Sequence, residues 1–201
     1  MIIIGLCGSS GSGKGYVSAK LAKHGVGFID TDKVYRERVL VNPACKGELV
    51  ASFGSAILAD GNVDKKRLAA IVFEGDGAKE RLEALNCITH KYIKVETEQL
   101  ISAYREAGYP AVLVDAPVLF ESGFDEMCHV TVCVTAPDEQ KLARIVKRDG
   151  ISSEKAMARL NSQLSDSELR ARCTYELNNT DGCDLERQIR SMLRDLGIEG
   201  D

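Results

Sequence analysis

Apolar residues along this chain fall into two rhythms. Nearly unbroken runs at Ile2 to Cys7, 111–114 and 130–134 are bounded by glycine or proline, whereas longer stretches place apolar residues three and four apart. The first pattern suits strands covered on both faces, and the second is one face of a helix. Val17, Leu21 and Ala22 predict a helix over 16–24, and Gly27 to Ile29 a short strand running into Asp30-Thr31-Asp32. Helical spacing returns over 46–53 and 65–73, around a turn at Asp60-Gly61-Asn62, with Asp64 placed to cap the second helix. Residues 78–107 read as one long or kinked helix whose stripe is Leu82, Leu85, Ile88, Ile93, Leu100 and Ile101, stopped by Tyr109-Pro110. The remainder is mainly helical over 138–149, 153–163, 166–173 and 184–196, with a strand-like segment at 175–178. Strands alternating with helices predict an α/β protein built on a parallel sheet.

At 201 residues, with 44% hydrophobic and 28% charged positions, the chain is an ordinary globular one of a single domain, not a disordered or collagen-like sequence. Its formal charge of −4 lacks the basic excess of a dedicated nucleic-acid binder, so any anion site is local. The start carries no basic segment ahead of a long apolar one, and no stretch approaches 18 apolar residues, so a cytoplasmic protein free of membrane contact is expected. Seven scattered cysteines without a C-x-x-C pair suggest reduced structural thiols, not a disulfide framework or a zinc site.

The first strand runs into Gly8-Ser9-Ser10-Gly11-Ser12-Gly13-Lys14, the G-x-x-x-x-G-K part of a Walker A loop. Its glycines let successive N–H groups turn around a phosphate, and the following helix adds its positive end and a lysine. A chance match has a probability of roughly 0.1, so the placement between strand and helix carries the reading. Gly15 stands where a serine or threonine hydroxyl would meet Mg²⁺, so weakened metal binding is expected, with water filling the position. Asp30 and Asp32, two apart at the end of an extended segment, would point the same way and offer a carboxylate to a phosphoryl acceptor, or else belong to an acidic turn that caps a helix. Lys141, Arg144 and Arg148 would share one helix face, with Leu142, Ile145 and Val146 on another. Asp115 ends a buried strand in a Walker B-like position, where it would orient Mg²⁺ through water or anchor a loop.

Taken in order, Gly8 to Lys14, Ile29 to Asp32 with Arg36, the 85–93 stretch with His90, Leu113 to Glu121 and Gln140 to Asp149 resemble the dephospho-coenzyme A kinase family over nearly the whole chain. That resemblance implies a three-layer P-loop kinase fold with a five-stranded parallel sheet, a helical acceptor-binding subdomain at about 42–107 and a lid at about 138–165. It implies transfer of the γ-phosphoryl of ATP, with Mg²⁺, to the ribose 3′-hydroxyl of dephospho-CoA, the final step of coenzyme A biosynthesis. Asp32 would be the general base, with Asp30 supporting it or a metal-bound water, and Arg36, His90 and Asp115 lining the acceptor side. Gly8 to Tyr16, Arg144, Arg148 and Asn179 would hold ATP, Arg144 approaching the transferring group. Lys91 replaces a usual proline, Thr174 an aspartate and Tyr16 a small residue. A kinase for another hydroxyl compound such as a nucleoside, or a silent nucleotide-binding regulator signalled by Gly15, remain the alternatives. No nucleic-acid partner is implied, and a monomer is expected.

Overall fold

A computed structural model describes residues 1–198. The elements are β1 (Ile2–Cys7), α1 (Lys14–Ala22), β2 (Val26–Asp30), α2 (Thr31–Val34), α3 (Pro43–Phe53), β3 (Leu58–Ala59), β4 (Asn62–Val63), α4 (Lys65–Phe73) and α5 (Ala78–Glu106). They continue with β5 (Ala111–Asp115), β6 (Val130–Thr135), α6 (Asp138–Asp149), α7 (Ser153–Asn161), α8 (Asp166–Arg172), β7 (Tyr175–Asn178) and α9 (Leu185–Asp195). The chain divides into two units, 1–29 with 103–201, and 30–102.

The first unit is organised by a five-stranded sheet in the order β2-β5-β1-β6-β7. β1 runs parallel to β5 and β6, and β6 to β7: Ile4 lies beside Leu113 and Val130, and Cys133 beside Glu176. Both faces are covered, which is why the strands read as apolar runs and not as alternations. Ile4, Leu6, Val132, Val134 and Leu177 pack with Val17 and Leu21 of α1 and Ile189 and Met192 of α9. On the opposite face, a Cβ at Gly5 would lie 2.8 Å from Cys128 Sγ and 3.1 Å from Leu119, so the segment after β5 closes directly over the sheet there. This is the three-layer α/β arrangement expected of the fold class.

The second unit is helical, with the small antiparallel β3–β4 pair between α3 and α4, an element the sequence pattern had registered only as a turn. Asn42 caps α3 through the N–H groups of Ala44 and Cys45. Asp64 caps α4 through those of Lys66 and Arg67, as its position predicted. Between α2 and α3 the helix widens to a π-turn over Tyr35–Val39, closed by Leu40 N–H on the Tyr35 carbonyl at 3.1 Å. Nothing in the residue pattern announced it. Lys91 is held by Glu48 at 2.5 Å, and Tyr92 O–H donates to the same carboxylate at 2.7 Å. These two hydrogen bonds hold the Glu48 carboxyl below its usual range. No described helix is long and apolar enough to cross a membrane.

Candidate active site

The loop after β1 is shaped by glycines that a side chain would destroy. Gly8, Gly11 and Gly13 have φ of 153°, 77° and 95°, a region that L side chains rarely adopt. A Cβ at Gly8 would stand 2.7 Å from Ser12 Oγ and from the Val134 carbonyl. One at Gly11 would enter the Lys141 backbone, and one at Gly13 the Asn179 amide. The loop is thus pressed against β6, α6 and the segment after β7.

Its carbonyls are secured from outside. Arg144 donates to the carbonyls of Gly11 and Ser12 at 3.3 and 3.5 Å, and Asn179 Nδ2 donates to that of Ser12 at 2.8 Å. Since N–H and C=O of a trans peptide point in opposite directions, holding the Ser12 carbonyl aims the Gly13 N–H the other way. Gly13 begins α1 without a side-chain cap, and the first turn of α1 has no acidic residue. The N–H groups of Lys14 and Gly15 therefore lack intrahelical acceptors and a competing carboxylate, the condition for anion binding at a helix start. Lys14 Nζ donates to the Gly8 carbonyl at 2.8 Å, which folds its charge back over the loop. Ser12 Oγ is buried with no hydrogen-bond partner among the described residues. An orphaned hydroxyl inside a ring of amides fits a phosphate oxygen or its hydrated metal ion.

Cavities flank the loop on two sides. One of about 500 Å³ is lined by Gly13, Tyr16, Arg144, Asn179, Asp181 and Asp184. The other, about 480 Å³, is lined by Gly8, Ser9, Glu121, Gln163 and Glu168, among others. Tyr16 is 58% exposed, with Lys20 Nζ 5.4 Å from its ring centroid. Glu186 ties Lys20 at 3.3 Å and His24 at 2.8 Å, fixing this wall to α9.

Two expectations about the charged residues are corrected here. Lys141 does not share an open cationic face with Arg144 and Arg148; it is 4% exposed and lies with Ile145 on the buried stripe of α6. Its ammonium contacts Asp138 at 2.7 Å, Asp166 at 3.0 Å and Ser9 Oγ at 3.3 Å, so three donors meet three oxygens. Burial of a lysine is tolerated because it is paired this completely. Arg148 turns instead to Asp149 at 2.7 Å, and Asp149 also takes Arg159 of α7. Those two arginines, through hydrogen bonds led by Arg148, bring the Asp149 carboxyl down to about 2. Secondly, Asp30 and Asp32 do not share one side of a strand, because α2 begins at Thr31 and Asp32 lies in its first turn. Asp30 caps that helix, accepting from Lys33 N–H at 2.9 Å, and lies 4.0 Å from Arg36. Asp32 is exposed.

The remaining residues fall into place as follows. Asp115 ends β5 beside Leu6, one position before the end of β1, where an open α/β sheet collects ligands. His90 lies midway along α5, half-buried, and desolvation lowers its pKa. Asn179 follows β7, its N–H on the Thr135 carbonyl at 2.8 Å. Thr174 clips the entry of β7 to β6, donating its N–H to the Thr131 carbonyl at 2.9 Å. A Cβ at Gly15 would meet nothing within 4 Å among the described residues, so the missing hydroxyl leaves open space and not a filled position. Sequence reasoning overlooked Gln163, whose Oε1 accepts from Ser10 N–H at 2.8 Å, and Asp166, which accepts from Ser9 Oγ at 3.1 Å and from Ala136 N–H at 3.3 Å. The only trace of Asp166 in the sequence is its place behind Ser165, which with Glu168 forms a capping box.

A family model described as dephospho-CoA kinase matches residues 2–184. The chain belongs to the dephospho-CoA kinase family. A dephospho-CoA kinase of Dehalococcoides mccartyi is 37% identical over 180 residues, 89% of each chain. Among solved structures, a Thermus thermophilus protein superposes with a TM-score of 0.78 at 34% identity and 97% coverage of both chains. A dephospho-CoA kinase from Campylobacter jejuni gives 0.69 at 25% identity, covering 96% of both. This family membership accounts for a P-loop kinase fold and for the use of ATP.

Proposed function

We propose that this chain transfers the γ-phosphoryl group of ATP to the ribose 3′-hydroxyl of dephospho-CoA, releasing ADP and coenzyme A, as a monomer in the cytoplasm. The observation that carries the reading is the loop between Gly8 and Lys14, whose three positive-φ glycines cannot carry side chains and whose carbonyls are held from outside. The loop amides and Lys14 bind the phosphates, and the cavity beside Gly13, Tyr16 and Asn179 takes the nucleoside. Asp32, exposed and close behind β2, receives the proton of the acceptor hydroxyl, with Asp30 and Arg36 shaping that turn and His90 on the acceptor-binding helices at about 42–107. Arg144 places a fixed positive charge at the rim of the loop, where charge spreads over the phosphoryl oxygens in the transition state. Residues 138–165 act as the lid, which excludes water from the transfer. Mg²⁺, when bound, would neutralise charge on the phosphate oxygens; Ser12, with water in the space at Gly15 and near Asp115, would hold it.

The test is ADP release from Mg-ATP with dephospho-CoA, set beside a panel of nucleosides and other ribose-containing compounds. Turnover with dephospho-CoA far above the panel is expected. Turnover with a nucleoside alone, or none with any acceptor despite ATP binding, overturns the assignment in favour of another small-molecule kinase or a silent nucleotide binder.

A further inference from the structure

Outside this chemistry, three of the seven cysteines meet in the first unit. Cys7 ends β1 and Cys133 is its register partner on β6. Cys173 follows the last residue of α8 and reaches them from the helical layer, its Sγ 3.4 Å from Cys7 Sγ. Cys133 Sγ is engaged with the Tyr175 carbonyl at 3.6 Å, whereas Cys7 is the residue immediately before the phosphate loop. Cys173 is partly exposed, and Cys7, though buried, lines the cavity beside Ser9.

We propose that Cys7 and Cys173 are a redox modification site: a low-molecular-weight disulfide oxidises them to an intrachain disulfide that clamps α8 to the phosphate loop and slows turnover. The chemistry is two exchanges. The Cys173 thiolate attacks one sulfur of the small disulfide, forming a mixed disulfide and releasing one thiol. The Cys7 thiolate then attacks the Cys173 sulfur, closing the intrachain bond and releasing the second thiol. Two electrons pass from the protein pair to the small molecule, and the two protons leave on its two thiols.

The consequence for the loop follows from what α8 and the residues before it touch. Gln163 occupies the Ser10 N–H, and Asp166 holds Ser9 and Lys141. A covalent tie from Cys7 to the far end of α8 keeps this segment on the loop and retains Gln163 where a phosphate oxygen would compete for the amide. The reaction is slow at neutral pH. A hydrogen bond from Cys133 pulls the Cys173 thiol down, but the Cys7 contact and burial carry it up to about 12, so thiolate is scarce. The same feature makes the disulfide persistent once formed, because the reduced pair gains nothing from a stabilised thiolate.

The cross-link is independent of the proposed function; the loss of turnover rests on it. Reduced full-length protein is incubated with glutathione disulfide at pH 7.5 and 8.5, its remaining thiols are alkylated, and peptides are mapped without reduction while turnover is followed. The expected result is a Cys7–Cys173 peptide that forms about tenfold faster at the higher pH. Turnover falls in step and returns with dithiothreitol, Cys173→Ser shows neither change, and Cys87→Ser shows both. Mixed disulfides confined to the exposed Cys87 and Cys183, or a Cys133–Cys173 peptide, overturn the pairing. Full turnover of the cross-linked protein overturns the clamp. A chain with no kinase activity still reveals the pairing by its peptides.

Discussion

The phosphate loop and the turn from Asp30 to Arg36 each follow the carboxyl end of a parallel strand, yet they are held in opposite ways. The loop is fixed by partners more than a hundred positions away: Arg144 and Asn179 on its carbonyls, Asp166 and Lys141 on Ser9, Gln163 on Ser10. The turn is fixed by its neighbours, with Asp30 capping the helix three residues on and Arg36 near its limit of reach. Tertiary anchoring sets a geometry before any ligand arrives. Local anchoring leaves Asp32 exposed to solvent. Damage at the loop should therefore reach both stability and binding, and damage at Asp32 the chemical step alone.

The largest effect expected is at the carboxylate. Asp32→Asn should lower kcat by about 10² to 10⁴ with nucleotide affinity and unfolding midpoint unchanged, read by steady-state kinetics and ATP titration. A parallel fall in stability would break the contrast. Next, Lys141→Met leaves the Asp166 carboxylate, largely withdrawn from water, without its cation. It should cost about 3 kcal/mol in urea unfolding, and a neutral result would mean that the loop does not depend on this network. Smaller again, Gly15→Ser enters open space and should reduce the Mg²⁺ needed for half-maximal turnover by several-fold. An unchanged requirement would show that water already serves this position fully. The smallest concerns His90, whose folded pKa is depressed by burial. Below its free value of 6.5 the unfolded chain binds more protons, so stability present at pH 7.5 is lost as pH falls through the folded pKa. The drop in urea midpoint between pH 7.5 and 5.5 should shrink in His90→Gln; an identical drop would remove His90 from the balance.

What the sequence made legible follows the same division. Strands β1, β5 and β6 announced themselves because both their faces are covered, and the Asp64 cap because a cap is a contact across two or three residues. The loop was legible since glycine spacing encodes its backbone directly. The alternation argument for Asp30 and Asp32 failed where Asp30 started a helix one residue earlier than a strand reading allows. Lys141 misled because an ammonium reads as surface unless its carboxylates are known, and Asp166 lies 25 positions away. The Gln163 and Cys173 contacts leave no periodic trace at all, since their partners are 153 and 166 residues distant.

The central place of β1 carries one more consequence. It leaves the ribosome well ahead of the neighbours that flank it, β5 and β6, which are synthesised more than a hundred residues later. The nascent chain therefore carries an unpaired apolar segment ahead of an unformed phosphate loop until both of those strands have been made.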